Sequence, residues 1–291
     1  MGTLPDSVSV EVYTGRDGYP SDPADVEVWV PPFLSSGDFR TVLDDLTGLK
    51  VVQLLSAGAE VWVGRVPESV VLCDAQGVHT ASTSEWALTA MLASLRGFDI
   101  YARQQVESRW QSHVGTGLAG LTVLVVGAGD IGTAIAERVR AFDAEPVMVA
   151  RRGRPGVHPV TELPGLLPTA DVVVLIVPLT PATRGMVDAT FLSRMHDGAL
   201  LVNAARGPVV DTDALIAETA SGRLRAALDV TDPEPLPADN PLWTTPGVLI
   251  TPHVGGAVHG LNALVYRMVG DQLRRYAAGE PLRNVVTEAG Y

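Results

Sequence analysis

The sequence has little of what marks a secreted protein. Only one cysteine, Cys73, occurs among the 291 residues, so no internal disulfide can form, which fits a reducing compartment. Cys73 ends the apolar run 70–72, and we expect it to lie in the core, as free cysteines usually do. No Lys or Arg precedes Arg16 and no long apolar stretch opens the chain, so we do not expect a secretory signal.

Positive charge and uninterrupted apolar sequence are also scarce. The 21 Lys and Arg residues against 33 Asp and Glu give a net charge of −12, which offers no uniform field to hold a polyphosphate backbone. The longest stretch without Asp, Glu, Lys or Arg, 240–266, is broken by prolines, glycines and polar residues, which argues against a transmembrane helix. We therefore expect a cytoplasmic protein that binds neither nucleic acid nor a membrane.

The chain does have enough apolar sequence for two cores. Apolar residues make up 46% and charged residues 19%, and the mean hydropathy is +0.21, so disorder is not expected. A chain of 291 residues is long enough to divide into two domains of ordinary size.

Short β-branched runs alternate with longer segments, a rhythm typical of βαβ units and of parallel sheets covered by helices. Helix formers with few breakers fill 85–110, and a last helical stretch, 261–278, is long enough to return to the first sheet. We therefore expect a discontinuous small domain, 1–92 and 262–291, around a second domain at 93–261. The predicted strands are 8–12, 26–30, 50–55 and 70–73 in the first sheet, and 121–126, 147–150, 171–177, 199–203, 226–230 and 248–250 in the second.

A glycine-rich turn follows predicted strand 121–126 and precedes a helical segment. Gly127 allows a tight turn, Gly129 lets the backbone approach a pyrophosphate, and Gly132 lets helix and strand pack closely. Asp130 and Ile131, between Gly129 and Gly132 at the start of the helix, are expected to belong to the same cofactor site. This setting favours a dinucleotide site over an incidental glycine turn.

The residues after the next strand indicate which dinucleotide. An NAD site usually has an acidic residue about 20 positions on, for the ribose 2′-hydroxyl. Here Ala150 ends the strand, and Arg151, Arg152 and, after a glycine, Arg154 follow. Guanidinium groups bind phosphate through paired hydrogen bonds, so NADP is predicted, with NAD possible at lower affinity. A solvated basic loop is the alternative.

Three further segments, VNAARGPVVD, LDVTDPEPLP and ITPHVGG, carry a family resemblance. With LKVVQLLSAGAE, TSEWAL, VGAGDIG, VPLTPATRGMVD and NPLWTTPGVLITPHVGG in the same order, the chain resembles the D-isomer-specific 2-hydroxyacid dehydrogenase family over most of its length. The family includes glyoxylate/hydroxypyruvate reductases, D-lactate dehydrogenases and phosphoglycerate dehydrogenases. The resemblance implies a Rossmann-type doubly wound parallel sheet, which binds the dinucleotide, and a second, smaller flavodoxin-like α/β domain, which binds the substrate.

The resemblance also implies three catalytic residues, Arg206, Glu234 and His253. A keto oxygen that gains a proton needs a group that can be charged or neutral near neutral pH, and histidine is that group. A carboxylate at Glu234 would favour imidazolium and orient the ring, while the planar fork of Arg206 would hold the substrate carboxylate. Each residue alone could be an ordinary turn or surface residue. Together, near the carboxyl ends of predicted strands, they favour catalysis.

Weaker correspondences concern the rest of the site. Ala57 and Gly58 match a loop whose backbone amides face the substrate carboxylate, although a small-residue turn is also a common structural feature. We expect the other histidines to be structural or exposed and expect no metal site. The positions that match the nicotinamide side are Thr183, Ala205, Asp229, Gly255 and Gly256, and the other histidines are His79, His113, His158, His196 and His259.

We therefore expect an oxidoreductase that transfers hydride from NADPH to a small 2-keto acid resembling glyoxylate or hydroxypyruvate. Alternatives are a dehydrogenase of phosphoglycerate, D-lactate or phosphite, or a dinucleotide-sensing protein similar to a corepressor. The resemblance also implies a homodimer, the commonest soluble oligomer. Trp86 departs from the family, which often has histidine after the glutamate corresponding to Glu85, and the change affects either the dimer contact or the cleft wall. The short N-terminal domain leaves the particular keto acid open.

Overall fold

The structure is a computed structural model and describes residues 1–15, 18–33 and 39–287. The chain divides into a first unit, Met1–His79 with Val258–Tyr291, and a second unit, Thr80–Ala257. The boundaries therefore fall at 79/80 and 257/258 rather than at 92/93 and 261/262. The first boundary lies earlier than expected because helix α2 (Thr80–Arg96) packs into the core of the second unit from its early turns onward. It buries Ala87, Met91 and Leu95 there.

The second unit contains a parallel sheet of seven strands among the described residues, in the order β10-β9-β8-β7-β4-β5-β6. From central β4 the chain moves outward to β6, then returns beside β4 at β7 and moves outward in the other direction. This is the doubly wound arrangement, whose switch point between β4 and β7 is where such sheets bind ligands. The strands are β4 (Thr122–Val126), β5 (Glu145–Ala150), β6 (His158–Pro159), β7 (Val172–Leu175), β8 (Leu200–Asn203), β9 (Arg225–Leu228) and β10 (Val248–Ile250).

This sheet is buried on both faces, which explains why its strands are almost continuously apolar. Along β4, Val123 and Val125 face the core that includes α2 and α4, while Leu124 and Val126 face the core of α5, α6 and α7. The remaining helices of the unit are α3 (Phe98–Val106), α4 (Asp130–Arg140), α5 (Leu163–Leu166), α6 (Ala189–Arg194) and α7 (Thr212–Ala220).

The first unit has a smaller parallel sheet, with described strands β1 (Val28–Trp29), β2 (Val51–Gln53) and β3 (Val71–Cys73) in that order. The α-helices of the unit within the described residues are α1 (Arg40–Asp45) and α8 (Leu261–Ala277). Helix α8 closes one of its cores by packing Val265 and Val269 against Leu55. The side-chain amide of Gln272, also on α8, donates a hydrogen bond to Oε1 of Gln53 at 2.9 Å. Helix α8 is thereby linked to β2, the central strand of this sheet.

Three sequence-based expectations differ from the structure. Residues 8–12 form no strand; Val10 and Val12 are exposed, so this alternating run lacks a buried face. The helix expected at 85–110 begins at Thr80 and is interrupted by Gly97, whose φ of 67° ends α2 before α3 begins. Strand β6 was not expected because its two residues carry no periodic pattern.

Within the described ranges, no helix is both long and apolar enough to cross a membrane. The same ranges contain no group of three or more His, Cys, Asp or Glu residues suited to a metal ion.

Candidate active site

Two glycines of the glycine-rich turn are required by the fold itself. Gly127 follows β4 with a φ of 119°, and a Cβ there would lie 2.3 Å from the carbonyl oxygen of Ile176. A Cβ on Gly132 would lie 1.9 Å from the carbonyl oxygen of Gly127. Any larger residue at either position would collide with backbone, so these glycines bring α4 close to the end of β4.

The fold gives no such reason for Gly129. Its φ of −82° and ψ of −164° suit any residue, and no heavy atom lies within 4 Å of a Cβ built there. The open space lies at the N-terminus of α4, where unpaired amides attract negative charge. Asp130 is exposed in the first turn, while Ile131 packs partly into the core. This cradle fits the pyrophosphate of a dinucleotide.

The basic loop after β5 is held beside the glycine turn. The amide of Gly127 donates to the carbonyl of Val149 at 2.9 Å, and the guanidinium of Arg154 donates to the carbonyl of Ala128. Arg154 and Val157 also exchange two backbone hydrogen bonds of 3.0 and 2.8 Å, which close a tight turn. Arg151 and Arg152 are exposed directly after Ala150. Sequence reasoning noted Arg154 only as part of a basic run and missed its contact with the turn.

The expected catalytic residues follow three neighbouring strands, Arg206 after β8, Glu234 after β9 and His253 after β10. Arg206 is oriented by a residue that sequence reasoning missed. Buried Asn203 accepts the amide of Ala205 at 3.0 Å and donates its own side-chain amide to the carbonyl of Arg206 at 3.2 Å. A polar residue that ends an otherwise apolar strand was the signal for this role.

His253 and Glu234 meet directly. The ring Nδ1 of His253 lies 2.6 Å from Oε1 of Glu234, and the two side chains are 30% and 42% exposed. An ionised carboxylate only accepts hydrogen bonds, so Nδ1 carries the hydrogen and Nε2 is the nitrogen directed elsewhere. His253 has a φ of 53°, a left-handed conformation that histidine adopts more readily than most residues.

Asp229 fixes the loop that carries His253. The carboxylate is 5% exposed and accepts three hydrogen bonds, from the hydroxyl of Thr251 at 2.7 Å and from the amides of Val254 and Gly255 at 2.8 Å each. The amide of His253 donates to the main-chain carbonyl of Asp229, also at 2.8 Å. Asp229 is expected from the sequence to lie beside the nicotinamide, which stays a prediction; the structure shows that it holds this loop in shape.

The other expected cofactor positions lie at the same carboxyl edge of the sheet. The hydroxyl of Thr183 donates to the carbonyl of Pro178 at 2.6 Å and accepts the amide of Thr180 at 2.8 Å, so it closes the loop after β7. Ala205 is buried after β8, and Gly256 is half-buried after Gly255.

The first unit contains the remaining expected positions, Ala57 and Gly58, in the segment after β2. The hydroxyl of Ser56 donates to the carbonyl of Gly58 at 2.9 Å and so closes a compact turn. Both residues are half-buried.

The other five histidines have separate partners or are exposed in the described structure. His79 is buried with Nε2 3.1 Å from the carbonyl of Leu55. His158 lies 2.7 Å from Glu162 and His196 lies 3.5 Å from Asp171, in pairs away from the strand ends discussed above. His113 and His259 are exposed.

The chain is similar to known proteins over most of its length. The family described as D-isomer specific 2-hydroxyacid dehydrogenase, NAD binding domain, matches residues 88–255. Glyoxylate/hydroxypyruvate reductase B of Salmonella schwarzengrund is 34% identical over 264 residues, which cover 85% of this chain and 81% of that protein.

Two solved structures are similar across nearly the whole chain. A D-isomer specific 2-hydroxyacid dehydrogenase from Xanthobacter autotrophicus Py2, in complex with NADPH and MES, has a TM-score of 0.81 and 33% identity, covering 93% of this chain and 88% of that one. The NADPH-dependent glyoxylate/hydroxypyruvate reductase of Sinorhizobium meliloti, in complex with NADP and sulfate, has a TM-score of 0.80 and 27% identity, covering 92% and 87%.

Proposed function

The chain belongs to the D-isomer specific 2-hydroxyacid dehydrogenase family, and we propose that it reduces a small 2-keto acid of the glyoxylate or hydroxypyruvate kind with NADPH. The names of the Salmonella and Sinorhizobium proteins support this substrate class. In this proposal the second unit binds the dinucleotide and the first unit binds the substrate.

The contact between His253 and Glu234 carries the proposal. With Nδ1 donating to Glu234 at 2.6 Å, the ring orientation is fixed and Nε2 is the atom that gives a proton to the keto oxygen. The carboxylate of Glu234 keeps the ring in this orientation during the transfer. The reaction then balances, since the keto carbon gains hydride, its oxygen gains the proton of Nε2, and the product is a 2-hydroxy acid.

Arg206 is proposed to hold the substrate carboxylate. One nitrogen of its guanidinium donates to the carbonyl of Ala205 at 2.7 Å, which restricts where the planar fork can point. That fork matches a carboxylate and also polarises the neighbouring keto oxygen. The backbone amides of Ala57 and Gly58 in the first unit are proposed as further substrate-binding groups, as the family resemblance implies.

The reduced nicotinamide supplies the hydride when the cofactor is bound. The space in front of Gly129 and the N-terminus of α4 support a pyrophosphate position there. Arg151 and Arg152 are proposed to bind the 2′-phosphate, with NAD accepted at lower affinity. The closed turn at Arg154 favours this over a solvated loop, because it holds the basic segment beside the glycine turn. The nicotinamide side is proposed to be lined by Thr183, Ala205, Asp229, Gly255 and Gly256.

A homodimer is part of the proposal. In and after α3, Val106, Trp110 and Val114 are 88%, 103% and 94% exposed, which is unusual for large apolar side chains in one short segment. A second copy that covers this segment would remove it from water. Sedimentation should give a dimer at micromolar concentration, and a monomer for Trp110→Asp; a monomeric wild-type protein would contradict the dimer.

The decisive experiment is a turnover panel with NADPH. Glyoxylate, hydroxypyruvate, pyruvate and phosphohydroxypyruvate are offered in the reducing direction, and phosphite and D-lactate with NADP⁺ in the oxidising direction. The proposal expects the highest kcat/KM for glyoxylate or hydroxypyruvate. A higher kcat/KM for another substrate would show that the proposed substrate class is wrong. Tight dinucleotide binding without turnover would favour a dinucleotide-sensing role.

A further inference from the structure

Trp86 on α2 touches the loop that carries His253. Its indole Nε1 donates to the hydroxyl of Thr251 at 3.0 Å, and that hydroxyl donates to Oδ1 of Asp229 at 2.7 Å. We propose that Trp86 is a positioning residue, which acts through Thr251 and Asp229 to hold His253 in its reactive place. This inference rests on the proposed function for the role of His253, but not for the hydrogen bonds themselves.

The chemistry of the three groups permits only one arrangement of hydrogens. An indole N–H can only donate, an ionised carboxylate can only accept, and a hydroxyl has one proton to give. The hydroxyl proton is therefore directed at Asp229, and the N–H of Trp86 at a lone pair of the same oxygen. Trp86 thus helps to fix the hydroxyl in this orientation, and removal of its N–H would leave the hydroxyl held by Asp229 alone.

Asp229 passes this constraint to His253 and to the two residues that follow it. Its carboxylate accepts the amides of Val254 and Gly255, and its carbonyl accepts the amide of His253. Three consecutive amides thus depend on the position of one buried residue. A loop held this way keeps His253 at its left-handed φ of 53° and its ring against Glu234.

The indole also fills space behind the loop. A Cβ on Gly255 would lie 2.7 Å from Oδ2 of Asp229 and 3.5 Å from Cγ of Trp86, so loop, carboxylate and ring are in close packing. Trp86 also packs against the buried core formed by α2, α4 and one face of the sheet. A phenylalanine at position 86 would keep most of this packing and lose the donor, which separates the two contributions.

The test compares Trp86→Phe, Thr251→Val and the double variant with the wild type. Trp243→Phe is the matched control, because its indole donates to the carbonyl of Pro237 at 2.8 Å and lies outside this network. The readouts are kcat and KM with NADPH and glyoxylate, and amide hydrogen exchange at Val254 and Gly255. Thr251→Ser, which keeps the hydroxyl, serves as the rescue variant.

Trp86→Phe should lower kcat and the exchange protection of both amides by about two- to twelvefold, the contribution of one neutral hydrogen bond. KM for NADPH should stay near the wild-type value. On the Thr251→Val background Trp86→Phe should have almost no further effect on kcat or protection, since the mediating hydroxyl is gone. Thr251→Ser should retain most of the wild-type kcat and most of the exchange protection at Val254 and Gly255.

Two results would overturn the inference: equal behaviour of Trp86→Phe and Trp243→Phe, or additive losses in the double variant. The amide-exchange results remain interpretable even if the proposed function is wrong. A wild-type protein without turnover on any 2-keto acid would refute the proposed function, while amide exchange in the same variants would still decide whether Trp86 holds the loop.

Discussion

The two units use buried polar groups in different ways. In the second unit, Asn203 and Asp229 lie just behind the carboxyl edge of the sheet and orient Arg206 and His253, which remain partly exposed. In the first unit, buried Gln53 and Gln272 share one hydrogen bond, and their remaining amide groups bond to the main chain. The comparison teaches that polar burial fixes the segments that carry the proposed catalytic residues in one unit and closes the fold in the other.

The largest effect that could sharpen this comparison is expected for His253. His253→Ala should lower kcat by about 10²- to 10⁴-fold, the usual contribution of general acid catalysis, with little change in NADPH binding. His253→Asn keeps a residue that tolerates positive φ and should behave alike. Steady-state kinetics over pH 5–9 and NADPH titration provide the measurement.

His158 is the matched control, because its Nδ1 also faces a carboxylate, that of Glu162, at 2.7 Å. His158→Ala should keep near-normal turnover. Near-normal turnover of His253→Ala across the pH range would show that the acid lies elsewhere.

The next largest effect is expected on cofactor affinity, from changes in the basic loop after β5. Arg151→Ala should weaken NADPH binding by about one to two orders of magnitude, since a hydrogen bond to a charged group contributes about 1.5–3 kcal/mol. NADH lacks the 2′-phosphate, so its affinity should hardly change. Ala150→Asp combined with Arg151→Ala should reverse the preference, because the carboxylate repels the phosphate and accepts the ribose hydroxyl.

Arg154→Ala supplies the contrast, because Arg154 holds the carbonyl of Ala128 in the glycine turn itself. Its loss should weaken both cofactors to a similar degree. We would measure kcat/KM and the dissociation constants for both cofactors. A wild type that prefers NADH, or equal losses for both cofactors in Arg151→Ala, would contradict the assignment to the 2′-phosphate.

A smaller effect, on stability rather than catalysis, is expected in the first unit. Gln272→Leu removes the partner of Gln53 Oε1 and of the backbone of Arg283, with which Gln272 makes two hydrogen bonds. Each buried group left unpaired costs about 1–3 kcal/mol, so the free energy of unfolding in urea should fall by at least that amount. The kcat of the folded fraction should stay near the wild-type value.

Gln76→Leu is the control, an exposed glutamine of the same unit whose loss should change stability by no more than about 0.5 kcal/mol. If Gln272→Leu lowered kcat of the folded protein by an order of magnitude, the division of roles between the units would be wrong.

The smallest effect is expected at Cys73. Burial raises the pKa of its thiol to about 11, so at pH 8 the native protein holds the neutral thiol, and the thiolate is the reactive form. Iodoacetamide at pH 8 should therefore leave native activity unchanged and modify Cys73 only after unfolding in urea. Mass spectrometry of the two samples decides this, and rapid labelling of the folded protein would contradict it.

The second unit could be predicted in greater detail from the sequence than the first. Its strands are buried on both faces and are thus almost purely apolar, and the glycine spacing before α4 has a steric cause that the structure shows at Gly127 and Gly132. The pairing of His253 with Glu234 followed from the family resemblance, and the two residues are in contact. Whether they perform the catalysis stays a prediction.

What the sequence could not supply were contacts between distant segments. Trp86 and Thr251 are 165 residues apart, and no local pattern links an indole to a hydroxyl at that separation. The strand expected at 8–12 failed for a related reason, since alternation predicts a strand only where a neighbouring strand and a core are available. The boundary between the units after His79 was also missed, because it depends on which core α2 packs into.

The position of α8 has a consequence for how the protein is made. The first unit takes its opening strands from the beginning of the chain and α8, with Val265 and Val269 packed on Leu55, from the end. Roughly 180 residues of the second unit are synthesised in between, which at about 5–20 residues per second takes roughly 10–35 s on the ribosome. During that interval the nascent strands β1 to β3 lack their closing helix, so the second unit can complete its fold before α8 has been synthesised.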